Sequence, residues 1–169
     1  MARIRLALLV ALSFAWQPRA ASAATIILVR HAERISAMSA DALLSPAGEE
    51  RARQLSVVLK DAQVQRIYVT EVRRTQQTAA PIAERLHLKP IVIAKDDVDA
   101  LLRQLRKSGA NETVLVVGHA DTVPLIIKRL GAGSAPALRD DEYDRLTVVF
   151  LAKGGKAQAV TLRYGTVGP

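Results

Sequence analysis

The chain of 169 residues contains no cysteine. Disulfides, thiol nucleophiles and thiolate metal sites are therefore excluded, and stability has to come from a packed core. Aromatic residues are few: one Trp, three Tyr and two Phe. With no long run of basic residues and so little to stack on bases, the composition argues against a nucleic-acid partner. Internal repeats and low-complexity segments are absent. Histidine is scarce as well, with three in the whole chain, so where each one falls carries weight.

What is present begins with a leader. Met1 to Arg5 is short and basic, Leu6 to Trp16 is apolar, and Ala21-Ser22-Ala23 offers small residues for cleavage. That order describes a secretory signal peptide over 1–23, its apolar stretch being too short for a permanent anchor. The alternative is a retained N-terminal helix lying on the membrane. Cleavage after Ala23 leaves one domain, 24–169, exported to the periplasm or secreted, with no stable membrane anchor. The leader takes Arg3, Arg5 and Arg19 with it and lowers the formal charge from +8 to +5. The remaining excess suits an anionic substrate or envelope surface.

Four short apolar runs follow, each ending in polar residues. Thr25 to Val29 runs into Arg30-His31, and Ile67 to Val69 into Thr70 and Arg73-Arg74. Ile91 to Ala94 runs into Asp96-Asp97, and Val114 to Val117 into Gly118-His119. Such runs read as buried parallel strands. Between them lie helical patterns. Ser45 is placed to cap the first, with Pro46 at its first position and Ala52, Leu55 and Leu59 on its buried stripe. Ala79, Ile82, Ala83 and Leu86 mark the second, in which Pro81 predicts a late start or a kink. Val98, Leu101, Leu102 and Leu105 mark the third, and Val123, Ile126, Ile127 and Leu130 the fourth, with Asp121 as its cap. Leu146 to Leu151 and Gln158 to Tyr164 flank Lys153-Gly154-Gly155-Lys156, whose glycines permit a tight hairpin. The predicted fold is α/β: a three-layer sandwich, a mostly parallel central sheet with helices on both faces, and a C-terminal antiparallel hairpin at or near one edge.

In open α/β sheets the ligand sits beyond the carboxyl ends of the strands. Two of the three histidines, several arginines and an acid arrive at that edge, and their chemistry suits a phosphoryl group. Imidazole is a good nucleophile near neutral pH, and guanidinium forks hold spread negative charge without a metal. The third histidine, His87, falls at a helix end and receives no role.

Val29-Arg30-His31-Ala32-Glu33 resembles the signature of the histidine phosphatase superfamily, the phosphoglycerate-mutase-like proteins. Leu44-Ser45-Pro46-Ala47-Gly48, then Thr70 to Ala79, then Val116-Val117-Gly118-His119 agree with it in order, over essentially the whole mature chain. The resemblance implies that His31 takes the phosphoryl group as a phosphohistidine. Arg30, Arg74 and His119 would hold its oxygens. Thr70 stands where a serine is usual and Glu71 where a proline is common. The spacing to Gln77-Thr78-Ala79 selects Arg74 over Arg73. Arg34 matches a phosphate-binding arginine of another branch, without the proline that follows it there; rim contact and solvated side chain both stay open.

The resemblance also implies a carboxylic acid after the third strand to protonate the leaving group. Asp96 is the first choice, because Asp97 is placed to cap the next helix. Glu33, Glu142 and Asp144 are the alternatives. About forty residues separate Arg74 from His119, leaving no room for the lid domain of larger relatives, and an open pocket favours a hydrolase over a mutase. The expected activity is a cofactor-free, metal-independent phosphatase acting on a small phosphorylated metabolite or a phosphorylated envelope glycan. A phosphohistidine protein phosphatase and a non-catalytic phosphate-binding protein are the alternatives.

Overall fold

The computed structural model describes residues 23–36, 39–152 and 156–165. Residues 1–22, which hold nearly all of the expected leader over 1–23, and Lys153-Gly154-Gly155, where the tight turn is expected, lie outside the described residues. Ten elements alternate as expected: β1 (Ala23–Arg30), α1 (Pro46–Val58), β2 (Val64–Val69), α2 (Arg73–Arg85), β3 (Ile91–Val92), α3 (Val98–Arg106), β4 (Thr113–Gly118), α4 (Thr122–Arg129), β5 (Arg145–Ala152) and β6 (Gln158–Arg163). They build one six-stranded sheet in the order β3-β2-β4-β1-β5-β6. The first four strands run parallel, and β5 and β6 are added antiparallel beside β1.

Strand alternation divides the core into two layers. Ile26, Leu28, Val114 and Val116 face Leu101, Leu102, Leu105, Val123, Ile126 and Ile127 of α3 and α4. Ile27, Val29, Leu115 and Val117 face Leu55 and Leu59 at α1 and Ala79, Ile82 and Ala83 of α2. Helices therefore cover both faces, and α1 and α4 leave the adjacent strands β1 and β4 for opposite faces. That divergence opens a crevice at the strands' carboxyl ends.

Two elements depart from the sequence pattern. β3 is only Ile91–Val92, and both residues are exposed at the sheet's edge, so the Ile91 to Ala94 run supplies half the strand it suggests. α2 starts at Arg73 and runs through Pro81. Its start is secured from outside, since Asp41 Oδ1 accepts from Arg73 N at 2.8 Å. Ser45 caps α1 as expected, accepting from Gly48 N. Gly48 has no alternative: a Cβ there would lie 2.1 Å from Glu33 O. The close approach docks the start of α1 directly against the chain leaving β1.

Candidate active site

Parallel register is what brings the two histidines together. Arg30 pairs with Gly118, so β1 and β4 end level and His31 and His119 follow side by side. His31 N donates to Gly118 O at 2.9 Å, carrying the ladder one residue further. The two rings stand 5.5 Å apart, edge to face, and both residues are buried at 3 % exposure.

The tautomers follow from the partners. His31 Nδ1 lies 2.8 Å from Ala32 O, which can only accept, so Nδ1 holds the proton and Nε2 keeps its lone pair. Burial, followed by the charges of Arg74 and Arg30, pushes His31 down to about 3, although the bond to Ala32 O works the other way. At neutral pH it is an uncharged nucleophile. Arg74 Nη2 approaches His119 Nδ1 at 3.4 Å, and a guanidinium can only donate. The His119 proton is therefore on Nε2, which donates to Thr70 Oγ1 at 3.0 Å. Burial and then Arg74 and Lys95 push His119 down to about 4. Thr70 is held in turn by Thr75, whose hydroxyl is 3.1 Å away and sits in the first turn of α2. The hydroxyl kept at position 70 thus orients the second histidine.

The arginines complete the pocket. Arg30 spends Nη1 on three carbonyls, those of Arg139, Asp140 and Glu142 at 2.8, 3.0 and 3.1 Å. Arg74 Nη1 donates to Ala40 O at 2.7 Å. The Nε–H groups of both are buried and without a partner. Burial opposes the charge on each, and the charge of Arg34 adds to that opposition at both, which places Arg34 in electrostatic range of the pocket. Arg73 is exposed and paired with Asp41 at 2.6 Å. Gln77 and Thr78, which set the register, have structural work: they accept from Leu44 N and Ala32 N and hold the loop after His31 against α2.

The carboxylates are elsewhere. Asp96 is exposed in the turn before α3, and no hydrogen bond joins it to either histidine or to Arg30 or Arg74. Asp97 caps α3, accepting from Ala100 N. Glu33 grips Arg51, Glu142 pairs with Arg145 and Arg163, and Asp144 pairs with Arg163. Glu71 accepts from Lys95 N and braces the rim. The residue between the two buried acids is the one that sequence pattern did not flag. Tyr143 lies against Arg30, whose Cζ is 4.1 Å from the ring centroid, and its ring is 6.0 Å from that of His31. A lone tyrosine in an irregular loop carries no periodic or motif signal.

Comparison with known proteins agrees with this fold. The sequence profile of the histidine phosphatase superfamily (branch 1) matches residues 26–97, which include His31 and Arg74 and stop short of His119. No curated protein sequence matches the chain. Among solved structures, the protein histidine phosphatase SixA complexed with tungstate is similar at TM-score 0.67 and 20 % identity, over 82 % of this chain and 96 % of that one. A mycobacterial glucosyl-3-phosphoglycerate phosphatase bound to VO3 is similar at TM-score 0.61 and 15 % identity, over 83 % and 98 %. The phosphoglycerate mutase of Plasmodium falciparum is similar at TM-score 0.59 and 20 % identity, over 88 % and 94 %. At these identities the likeness speaks for the fold.

Proposed function

We propose that the chain is a histidine phosphatase superfamily member and a metal-independent phosphatase that works through a phosphohistidine on His31. The observation that carries this reading is the pair of buried, unpartnered guanidinium Nε–H groups beside two uncharged histidines. Such a pocket is short of negative charge. A phosphoryl group supplies it, accepting from Arg30 and Arg74 while His31 Nε2 attacks phosphorus. The same donor set repels a cation, so the guanidiniums take the role a metal has in other phosphatases. His119, held between Thr70 and Arg74, walls the pocket beside the His31 ring, and Arg34 adds a third positive charge at the rim.

Between α2 and β4 the chain holds only β3 and α3, so nothing folds over the pocket from that side. An open pocket exposes the phosphoenzyme to water and favours hydrolysis. The leader over 1–23 supports an exported enzyme and, with it, a phosphorylated envelope glycan or small metabolite as substrate. A second reading, a phosphohistidine protein phosphatase, is favoured by the absence of a carboxylate bonded to the site, because a phosphoramidate needs less protonation to leave.

Rapid quenching with a radiolabelled phosphoester tests the reading. Acid-labile, alkali-stable label should appear on the wild type and be lost in His31→Ala together with turnover. Full activity in that variant, or strict dependence on an added divalent ion, would sink the proposal.

A further inference from the structure

Cleavage of an unactivated phosphoester calls for a proton at the leaving oxygen, and apart from Asp140, whose charge acts on Arg30, and the exposed Asp96, the carboxylates around the site are helix caps, ion-pair partners or rim braces. One protic group on the pocket wall has no such commitment. Residues 142–144 alternate, so that Glu142 and Asp144 are buried among Arg145 and Arg163 while Tyr143 points the other way, half-buried. Its ring faces the Arg30 guanidinium at 4.1 Å and stands 6.0 Å from the His31 ring. The phenol also lies within electrostatic range of both phosphoryl-binding arginines, Arg30 and Arg74.

We propose that Tyr143 is the general acid of this site, donating its hydroxyl proton to the leaving atom in place of a carboxylic acid. The inference rests on the phosphatase reading above. In the first step the His31 Nε2 lone pair forms the N–P bond, the P–O bond to the leaving group breaks, and the Tyr143 proton passes to the departing oxygen. An alcohol leaves, and the phenolate faces Arg30 and Arg74. In the second step water attacks phosphorus and gives one proton to the phenolate. The N–P bond breaks, returning neutral His31, its Nδ1 proton retained, and inorganic phosphate.

The test varies the leaving group. Tyr143→Phe keeps the ring over Arg30 and removes only the hydroxyl. On a simple alkyl phosphate kcat/KM should fall by about 10²–10⁴-fold, the usual worth of a positioned acid. On an activated aryl phosphate, which departs without a proton, the loss should stay below roughly tenfold. Equal losses on both esters, or none on either, overturn the assignment. So does a wild type that cleaves the aryl ester but not the alkyl one. Asp96→Asn is the competing variant: a leaving-group-dependent loss there, with none at Tyr143, gives the role to Asp96. Vanadate binding to Tyr143→Phe, read by thermal shift, separates loss of the acid from loss of the pocket. A wild type that turns over neither ester and takes no label on His31 fails at the phosphatase reading itself, and the inference falls with it.

Discussion

Two buried polar clusters sit within a few residues of each other, and they are charged in opposite ways. One, around Glu33, Glu142 and Asp144, is balanced: Arg51, Arg145 and Arg163 answer each carboxylate at 2.6–2.9 Å. The other, around Arg30, His31, Arg74 and His119, has no carboxylate bonded to any member among the described residues, and the Nε–H groups of Arg30 and Arg74 are without a partner. The balanced cluster fixes the chain: Glu33 ties the loop after His31 to α1, and Arg51 Nη1 reaches on to Tyr164 O at 3.1 Å. The unbalanced one keeps its cations close against both desolvation and mutual repulsion. The fold sustains that arrangement because the surrounding hydrogen bonds leave the arginines nowhere else to go, and an oxyanion relieves it. Charge balance thus separates scaffold from site where residue type alone does not.

The sharpest way to break the comparison is to remove the nucleophile. His31→Ala should lose turnover entirely while leaving the balanced cluster and the folding midpoint nearly unchanged, as aryl phosphatase assays and urea denaturation will show. Arg74→Ala should lower kcat/KM at least a hundredfold, since losing a charged partner in a desolvated site costs about 2–5 kcal/mol. Arg73→Ala, next to it but solvated and paired with Asp41, should change it by well under tenfold, and added salt should mask most of that. Equal losses at 73 and 74 would erase the distinction.

Glu33→Gln attacks the other cluster. It takes the carboxylate away from Arg51, which is 4 % exposed, and breaking a buried pair costs about 3–5 kcal/mol; Glu33 is itself 23 % exposed, so the lower end is expected. The loss should appear in the denaturation midpoint, with kcat of the folded fraction little changed.

Acid should expose the unbalanced cluster. Both histidines are held below their unfolded value of 6.5, at about 3 and about 4, so below pH 6.5 the unfolded chain binds protons that the native one refuses. Stability from this source is full above 6.5 and falls as pH drops toward 4. At pH 5 the two together should cost up to about 4 kcal/mol, at 1.4 kcal/mol per unit each. Urea titrations of His119→Gln should show a shallower acid slope than wild type; an unchanged slope would remove His119 from the account. The smallest effect is restorative. Tungstate at a hundredfold excess over its Kd should stabilise the wild type by about 2.7 kcal/mol and stabilise Arg74→Ala far less.

The strands, the caps Ser45, Asp97 and Asp121, and the convergence of His31 with His119 were legible in the sequence, because parallel register and capping are local chemistry repeated along a chain. The destinations of the carboxylates were not. Glu33, Glu142 and Asp144 lie in the right places along the chain to serve as acids, and only the arrival of Arg51 and Arg163 from distant segments, joined by the neighbouring Arg145, shows them to be spent. Pro81 gives no late start: α2 begins at Arg73 and packs along α1, where Ser56 Oγ donates to the Pro81 carbonyl at 3.3 Å.

The grip of Arg30 on the return loop is made wholly to main-chain oxygens, those of residues 139, 140 and 142. Every amino acid brings a carbonyl, so this clasp is blind to what the loop spells. Substitutions at 139 and 140 leave it intact, whereas adding or deleting a residue shifts all three oxygens out of reach. A loop held in that way is free to drift in sequence while keeping its path. The side chain at position 143, carried on the same backbone, can then be exchanged without dismantling the pocket, which gives this fold a place to change how a leaving group is protonated by single substitutions.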